Sequence, residues 1–205
     1  MASGLRHLRF RCTACGNCCR DLRVPLTHVD VQRLSDGTGR AAAEIVAWLP
    51  TAEVDLVGEP GSLVLLDHDA GHALMVLRQH AGACVFLGSD ERCTAYSARP
   101  GNCQLYPFAA SFGRRGGIRR LRLLGGTECD FARDGHNDVH ALRHADERRW
   151  AEHRSYLALL SRWNRAQRHR SLLGRRLYGA PEFLAFLGFG EARDSPIDAR
   201  ATDAG

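Results

Sequence analysis

Lysine is absent from the 205 residues, so all 28 Lys/Arg positions are arginine. A base-composition bias in the coding DNA produces this without any function. Arginine nonetheless keeps its proton and holds several hydrogen bonds in one plane, which suits it to lie against thiolate-rich centres. No stretch approaches the roughly 20 apolar residues that span a bilayer, which excludes an ordinary transmembrane helix and any membrane role built on one. No apolar run follows the basic opening Met1–Phe10, so it does not read as a secretory signal, and a reducing cytoplasm is expected. There is no glycine-rich dinucleotide or phosphate loop, hence no indication of a cofactor beyond a metal. What remains is an ordinary globular composition, 44% hydrophobic and 25% charged with a net charge of +5. It suffices for one moderate domain, with or without a helical extension.

Cysteine is the residue in surplus. Four of eight thiols stand in Cys12-Thr13-Ala14-Cys15-Gly16-Asn17-Cys18-Cys19. Thiols two residues apart on a tight turn converge on one ion, because the backbone folds back and points its amides at the sulfurs. Gly16 suits that turn, having no Cβ to resist a positive φ. In an extended segment the adjacent Cys18 and Cys19 would leave on opposite sides, so one of them is expected to serve a second centre. Cys84, Cys93, Cys103 and Cys129 supply partners enough for two four-thiolate sites. In a reducing compartment eight thiols read as metal ligands or redox groups, not as a disulfide framework. Arg11, Arg20 and Arg99 are placed to offset the negative charge of such a site.

Leu22–Leu26, with Pro25, reads as an extended lead-out. Thr27 with Asp30 three residues on predicts a capped helix through about Leu34, ended by Asp36-Gly37-Thr38-Gly39. Residues 40–49 carry Ala41, Ala42, Ile45, Val46 and Leu49 at helical spacing. Ser62–Leu66 and Ala73–Leu77 predict a hairpin, with His68 and His72 at its turn read as solvated rather than metal-binding. Cys84 and Cys93 flank a polar turn and would face each other across a hairpin, followed by a shaped loop with one helical turn through Cys103. A further hairpin is expected at Phe108–Phe112 and Ile118–Leu124, and it carries Arg114, Arg115, Arg119, Arg120 and Arg122. With no aromatic set interleaved, that basic stretch reads as a solvated face ahead of a nucleic-acid surface. Asp138 to about His169 predicts one long helix or two. His136, His140 and His144 stand four apart and would share a face of it, either as metal ligands or as a polar face. Pro181–Phe189 reads as a short apolar helix, and Glu191–Gly205 as a frayed tail.

Phe10-x-Cys12-x2-Cys15-Gly16-x-Cys18-Cys19, then Cys84-x-Phe86-Leu87, then Cys93-x2-Tyr96-x2-Arg99-Pro100-x2-Cys103-x2-Tyr106-Pro107-Phe108, resembles the YkgJ-type cysteine-cluster proteins. That family is described as zinc- or iron-chelating and is named for its CxxCxxCC motif. The resemblance covers about residues 10–130, with Cys129 as its last member and Val85 where such families typically have proline. It implies metal binding without a settled reaction. A similar domain occurs in flagellin lysine N-methylases, which brings methyl-transfer or redox catalysis in by analogy.

The expected fold is α+β: a metal-stapled domain of short strands and helices over residues 8–132, a helical extension over 133–190 and a disordered tail over 191–205. Zinc suits closed four-thiolate sites. Iron is suggested because Cys12-x2-Cys15-x2-Cys18 equals the first three ligands of a ferredoxin-type run, which would need a remote fourth such as Cys103 to hold an iron–sulfur cluster. Tyr96, Arg99 and Tyr106 lie inside the cysteine framework. They would either line an open metal site or serve structurally, the tyrosines as core rings and Arg99 as a donor to thiolates. Three functions follow: a metal-binding module, a metal-dependent enzyme, and an arginine-rich adaptor for nucleic acid or protein.

Overall fold

The computed structural model describes residues 7–20, 23–53, 62–67, 71–112, 118–123, 129 and 131–190. In chain order come β1 (His7–Leu8), β2 (Arg11–Cys12), α1 (His28–Thr38), α2 (Ala42–Ile45), β3 (Val46–Pro50), β4 (Leu63–Leu65) and β5 (His72–Leu77). They are followed by β6 (Gln79–His80), β7 (Ala83–Cys84), α3 (Gly101–Leu105), β8 (Phe108–Phe112), β9 (Ile118–Leu123), β10 (Phe131–Ala132), β11 (Asn137–Asp138), α4 (Val139–Leu172) and α5 (Ala180–Phe186). The class is α+β, with every strand pair antiparallel. Among the described residues no helix is long and apolar enough to cross a membrane. The chain divides into two compact units: Met1–Val24 with Gln79–Ala151, and Pro25–Arg78 with Glu152–Gly205.

The second unit holds an apolar core. Its sheet runs β3-β5-β4, with Val46 opposite Leu77 and Leu63 opposite Leu74. Helix α1 starts where Thr27 and Asp30 cap each other: the Thr27 hydroxyl accepts from the Asp30 amide at 3.2 Å, and the Asp30 carboxylate accepts from the Thr27 amide at 2.9 Å. It runs one turn past Leu34, because the last residue of the expected stop, Gly39, takes the left-handed cap (φ 70°). The helix expected over residues 40–49 stops at Ile45. The Arg78 amide donates to the Ile45 carbonyl at 2.8 Å, and its guanidinium donates to those of Ala43 and Val46. With these carbonyls satisfied from outside, the chain turns and pairs as β3 on β5. The hairpin expected from Ser62–Leu66 and Ala73–Leu77 is β4–β5, while His68 lies outside the described residues. Trp163 is the hub, fully buried, with ring centroids 5.0 Å from Phe183 and 5.3 Å from Phe186.

The first unit is built differently. Among the described residues other than proline and glycine, the buried apolar side chains of this unit are Val24, Phe86, Ala95, Ala98, Leu105 and Val139, against twenty in the second unit. Its elements are two-stranded ladders and short turns, which bury little apolar surface on their own. The pair β8–β9 is the expected hairpin; Arg114 and Arg115, and the side chains of Arg119, Arg120 and Arg122, lie outside the described residues. Helix α4 is one element of 34 residues that belongs to both units by sequence. His136 lies ahead of it, so the histidine triplet does not share one helical face. Asp138 ends the chain's approach to the helix by accepting the His140 amide at 2.9 Å, and His144 pairs with Glu147 at 3.4 Å. The tail Glu191–Gly205 lies outside the described residues.

Candidate metal centre

The N-terminal cysteines are held by a turn that only certain residues can make. Gly16 takes φ 73°, and a Cβ there would stand 2.6 Å from Glu91 Oε2 and 2.7 Å from an Arg20 nitrogen. The Cys19 amide donates back to the Gly16 carbonyl at 2.9 Å, closing a 3₁₀ turn over Asn17–Cys19. The expectation that Cys18 and Cys19 point apart assumed an extended chain. In this turn their sulfurs lie 4.0 Å apart. Thiolates on one tetrahedral zinc, with Zn–S of about 2.3 Å, stand about 3.8 Å apart, so adjacency does not separate this pair. Backbone amides do point at sulfur as expected: Ala14 N–H lies 3.4 Å from Cys12 Sγ, and Phe86 N–H lies 3.4 Å from Cys84 Sγ.

Cys84 arrives on β7 and Cys103 on α3. Cys93 bridges to Leu87, while the amide of Thr94 donates to the Phe86 carbonyl at 2.8 Å. The backbone register of Cys93 is thus with Leu87, while its thiol acts electrostatically on Cys84, the thiol at the other end of the turn. A hydrogen-bond chain runs from Cys18 to Cys19 to Cys84, and the charges of Cys93 and Cys103 act on the same group. The structure thus gathers Cys18, Cys19, Cys84, Cys93 and Cys103. Cys12 pairs across β2–β10 with Phe131, two residues beyond Cys129, and Phe10 pins that strand against Phe108 and Phe131. Cys12 is exposed at the start of the turn, and Cys15 and Cys129 are half-buried. No disulfide joins any of the eight cysteines.

The gathered thiols hold their protons tightly. The hydrogen bond to Cys19 and then burial raise Cys18. The bond to Cys18 lowers Cys19, but its bond to Cys84 and burial outweigh this and leave it at about 11. Burial pushes Cys103 up to about 12, helped by the nearby Cys19, Cys18 and Cys93. Cys93 is raised by burial, and Cys84 alone is lowered, by the hydrogen bond from Cys19. Arg99 opposes the rise at Cys18, Cys93 and Cys103. The other two expected counter-charges are engaged with carboxylates, Arg11 with Asp134 and Arg20 with Glu91.

The shifts carry a prediction with a definite sign. Where a folded-state pKa lies above the unfolded value, the native protein holds more protons, and that stability is lost as pH rises from about 9 toward 12. Denaturant midpoints of metal-free protein are therefore expected to fall between pH 8 and about 10. Metal binding takes place with loss of those protons, so metal affinity should rise over the same range.

Five soft donors from three separate segments fit zinc or iron in chemistry. In the structure as it stands, no three His, Cys, Asp or Glu side chains among the described residues are grouped closely enough to hold an ion. Tyr96 is 58% exposed and is not a core ring; Arg99 lies 3.5 Å over its face. Tyr106 is half-buried. The family model described as CxxCxxCC, "putative zinc- or iron-chelating domain", matches residues 11–123, more than half of the chain. No curated protein matches the chain, and no solved structure does.

Proposed function

The chain belongs to the CxxCxxCC family of zinc- or iron-chelating domains, and from that premise we propose that it binds such an ion through thiolates of the first unit. Cys18, Cys19, Cys84, Cys93 and Cys103 form the ligand pool, and Cys12, Cys15 and Cys129 hold a second position or replace a member of that pool. The observation that carries the reading is the convergence of five thiols, from the turn at Cys18-Cys19, the segment Cys84–Cys93 and helix α3, in a unit with few buried apolar side chains. A bound ion supplies a cross-link there, and in the case of iron also an electron-transfer centre. The rest falls to the chain's own groups. Arg99 offsets thiolate charge, the Ala14 and Phe86 amides steady sulfurs, and the Arg20–Glu91 pair holds the Gly16 turn against the loop before Cys93.

Metal binding and folding are coupled in thiolate sites of this kind, and a unit with few buried apolar side chains is where such coupling has the largest effect. The spacing of the cysteine motifs supports the finer likeness to YkgJ-type proteins, and eight thiols in one chain suit a reducing cytoplasm. Elemental analysis with a UV-visible spectrum on protein purified without oxygen tests the reading. The expected result is at least one zinc or iron per chain, with visible absorbance only for iron. Protein that is folded, metal-free and unable to take up either ion would overturn it.

A further inference from the structure

Arg99 is only half accounted for by the thiols. Its Nε donates to the Tyr96 carbonyl at 2.9 Å and its Cζ lies 3.5 Å from the centre of the Tyr96 ring, yet its remaining N–H groups meet no carboxylate among the described residues. Beside it lies a cleft of about 390 Å³, lined by Tyr96, Arg99, Gln104, Asn137, Asp138 and Leu142, all within the first unit. That volume falls within the range of small-molecule sites. On the same lining, Asp138 uses one oxygen to accept the His140 amide, and its other oxygen meets no donor among the described residues. A cation and a carboxylate oxygen thus share one cleft without pairing with each other. Gln104 donates to the Arg99 carbonyl at 2.7 Å, which fixes the backbone that carries the guanidinium.

We propose that this cleft binds a small carboxylic acid that also bears a hydroxyl or amino group, Arg99 taking the carboxylate and Asp138 accepting the donor. A guanidinium offers a forked pair of donors that matches a carboxylate, and its contact with the Tyr96 ring holds that fork in place. The carboxylate of Asp138 disfavours a dianion such as phosphate or a dicarboxylate, and favours a ligand with a donor at its second end. The exposed Tyr96 ring and Leu142 offer apolar cover for the carbon skeleton. The site lies beside the thiols but does not depend on the metal reading.

The test is calorimetric titration of the full chain with lactate, alanine, acetate, succinate and phosphate, with metal content measured on the same samples. Lactate or alanine should bind saturably and more tightly than the other three. Arg99→Gln should weaken that binding about tenfold or more. Ala141→Phe adds a ring at an exposed helix position on the cleft wall, and should abolish binding while leaving metal content unchanged. Asp138→Asn keeps an acceptor for the His140 amide and should improve succinate binding. The proposal is overturned if folded wild-type protein binds neither lactate nor alanine, if it binds acetate and phosphate equally well, or if binding survives both Arg99→Gln and Ala141→Phe. Loss of metal from Arg99→Gln with ligand binding intact would leave Arg99 as a counter-charge alone, and overturn it too. Because binding is read separately from metal content, a folded wild type that takes up neither zinc nor iron yet still binds lactate would sink the metal reading and not this one.

Discussion

Replacing Cys103 with serine is expected to strip most of the bound metal and to unfold the first unit. Cys103 sits on α3 and interacts electrostatically with Cys18, Cys19 and Cys93 at once, so it is the thiol that ties the helix to the N-terminal turn. Losing an outer-shell partner of a metal ligand costs roughly 10–100-fold in affinity, and losing a ligand should cost more. The stability effect follows from the small apolar core. With six described apolar side chains buried in the unit, hydrophobic burial has little to fall back on if a metal cross-link is lost. Hydrogen exchange read by mass spectrometry should show residues 79–112 losing protection, whereas Trp163 and its neighbours keep theirs. Full metal content in Cys103→Ser would remove α3 from the centre and require a different set of ligands.

The largest effect on the second unit is expected from Trp163→Ala. The indole is completely buried, touches Phe183 and Phe186, and donates from Nε1 to the Leu65 carbonyl at 2.8 Å. Truncation should cost about 3–5 kcal/mol, since the surrounding rings close only part of the cavity. The Leu65 carbonyl also accepts from Gln167 at 3.0 Å, so it is not orphaned, and the loss is one of packing more than of hydrogen bonding. A fall in Tm of about 6–20 °C is expected for a chain of this length. A shift below about 2 °C would mean that these rings are not the core of the unit.

How much of this could be read in advance varies with the range of the interactions involved. The cap at Thr27 and Asp30 was legible because donor and acceptor lie three residues apart and carry their own geometry. The hairpins β4–β5 and β8–β9 were legible from two apolar runs across a turn. Residues 40–49 misled because Ala42, Ile45, Val46 and Leu49 satisfy helical spacing equally well. What decided for a strand was Arg78, more than thirty residues away, taking the carbonyls at the end of α2. The thiols show the same divide. Their identity as a set was plain from spacing and from the family motifs, but the geometry of Cys18 and Cys19 depended on a left-handed Gly16. The expectation used extended-chain geometry in place of the turn that this glycine permits. Of the three arginines expected to face the thiols, Arg11 and Arg20 found carboxylates at Asp134 and Glu91, partners far away in sequence. The cleft beside Arg99 had no signal in the sequence, because its walls join residues 96–104 to residues 137–145 only in three dimensions.

The order in which those thiols leave the ribosome has a consequence of its own. Cys19 emerges 84 residues before Cys103, and at about 5–20 residues per second that interval lasts about 4–17 s. Throughout it the N-terminal cysteines are made but have no partners from α3. A nascent chain in that state can be oxidised, or can capture an ion in a wrong set. Yield in the cell should therefore depend on redox state and metal supply during translation, more than on the stability of the finished protein.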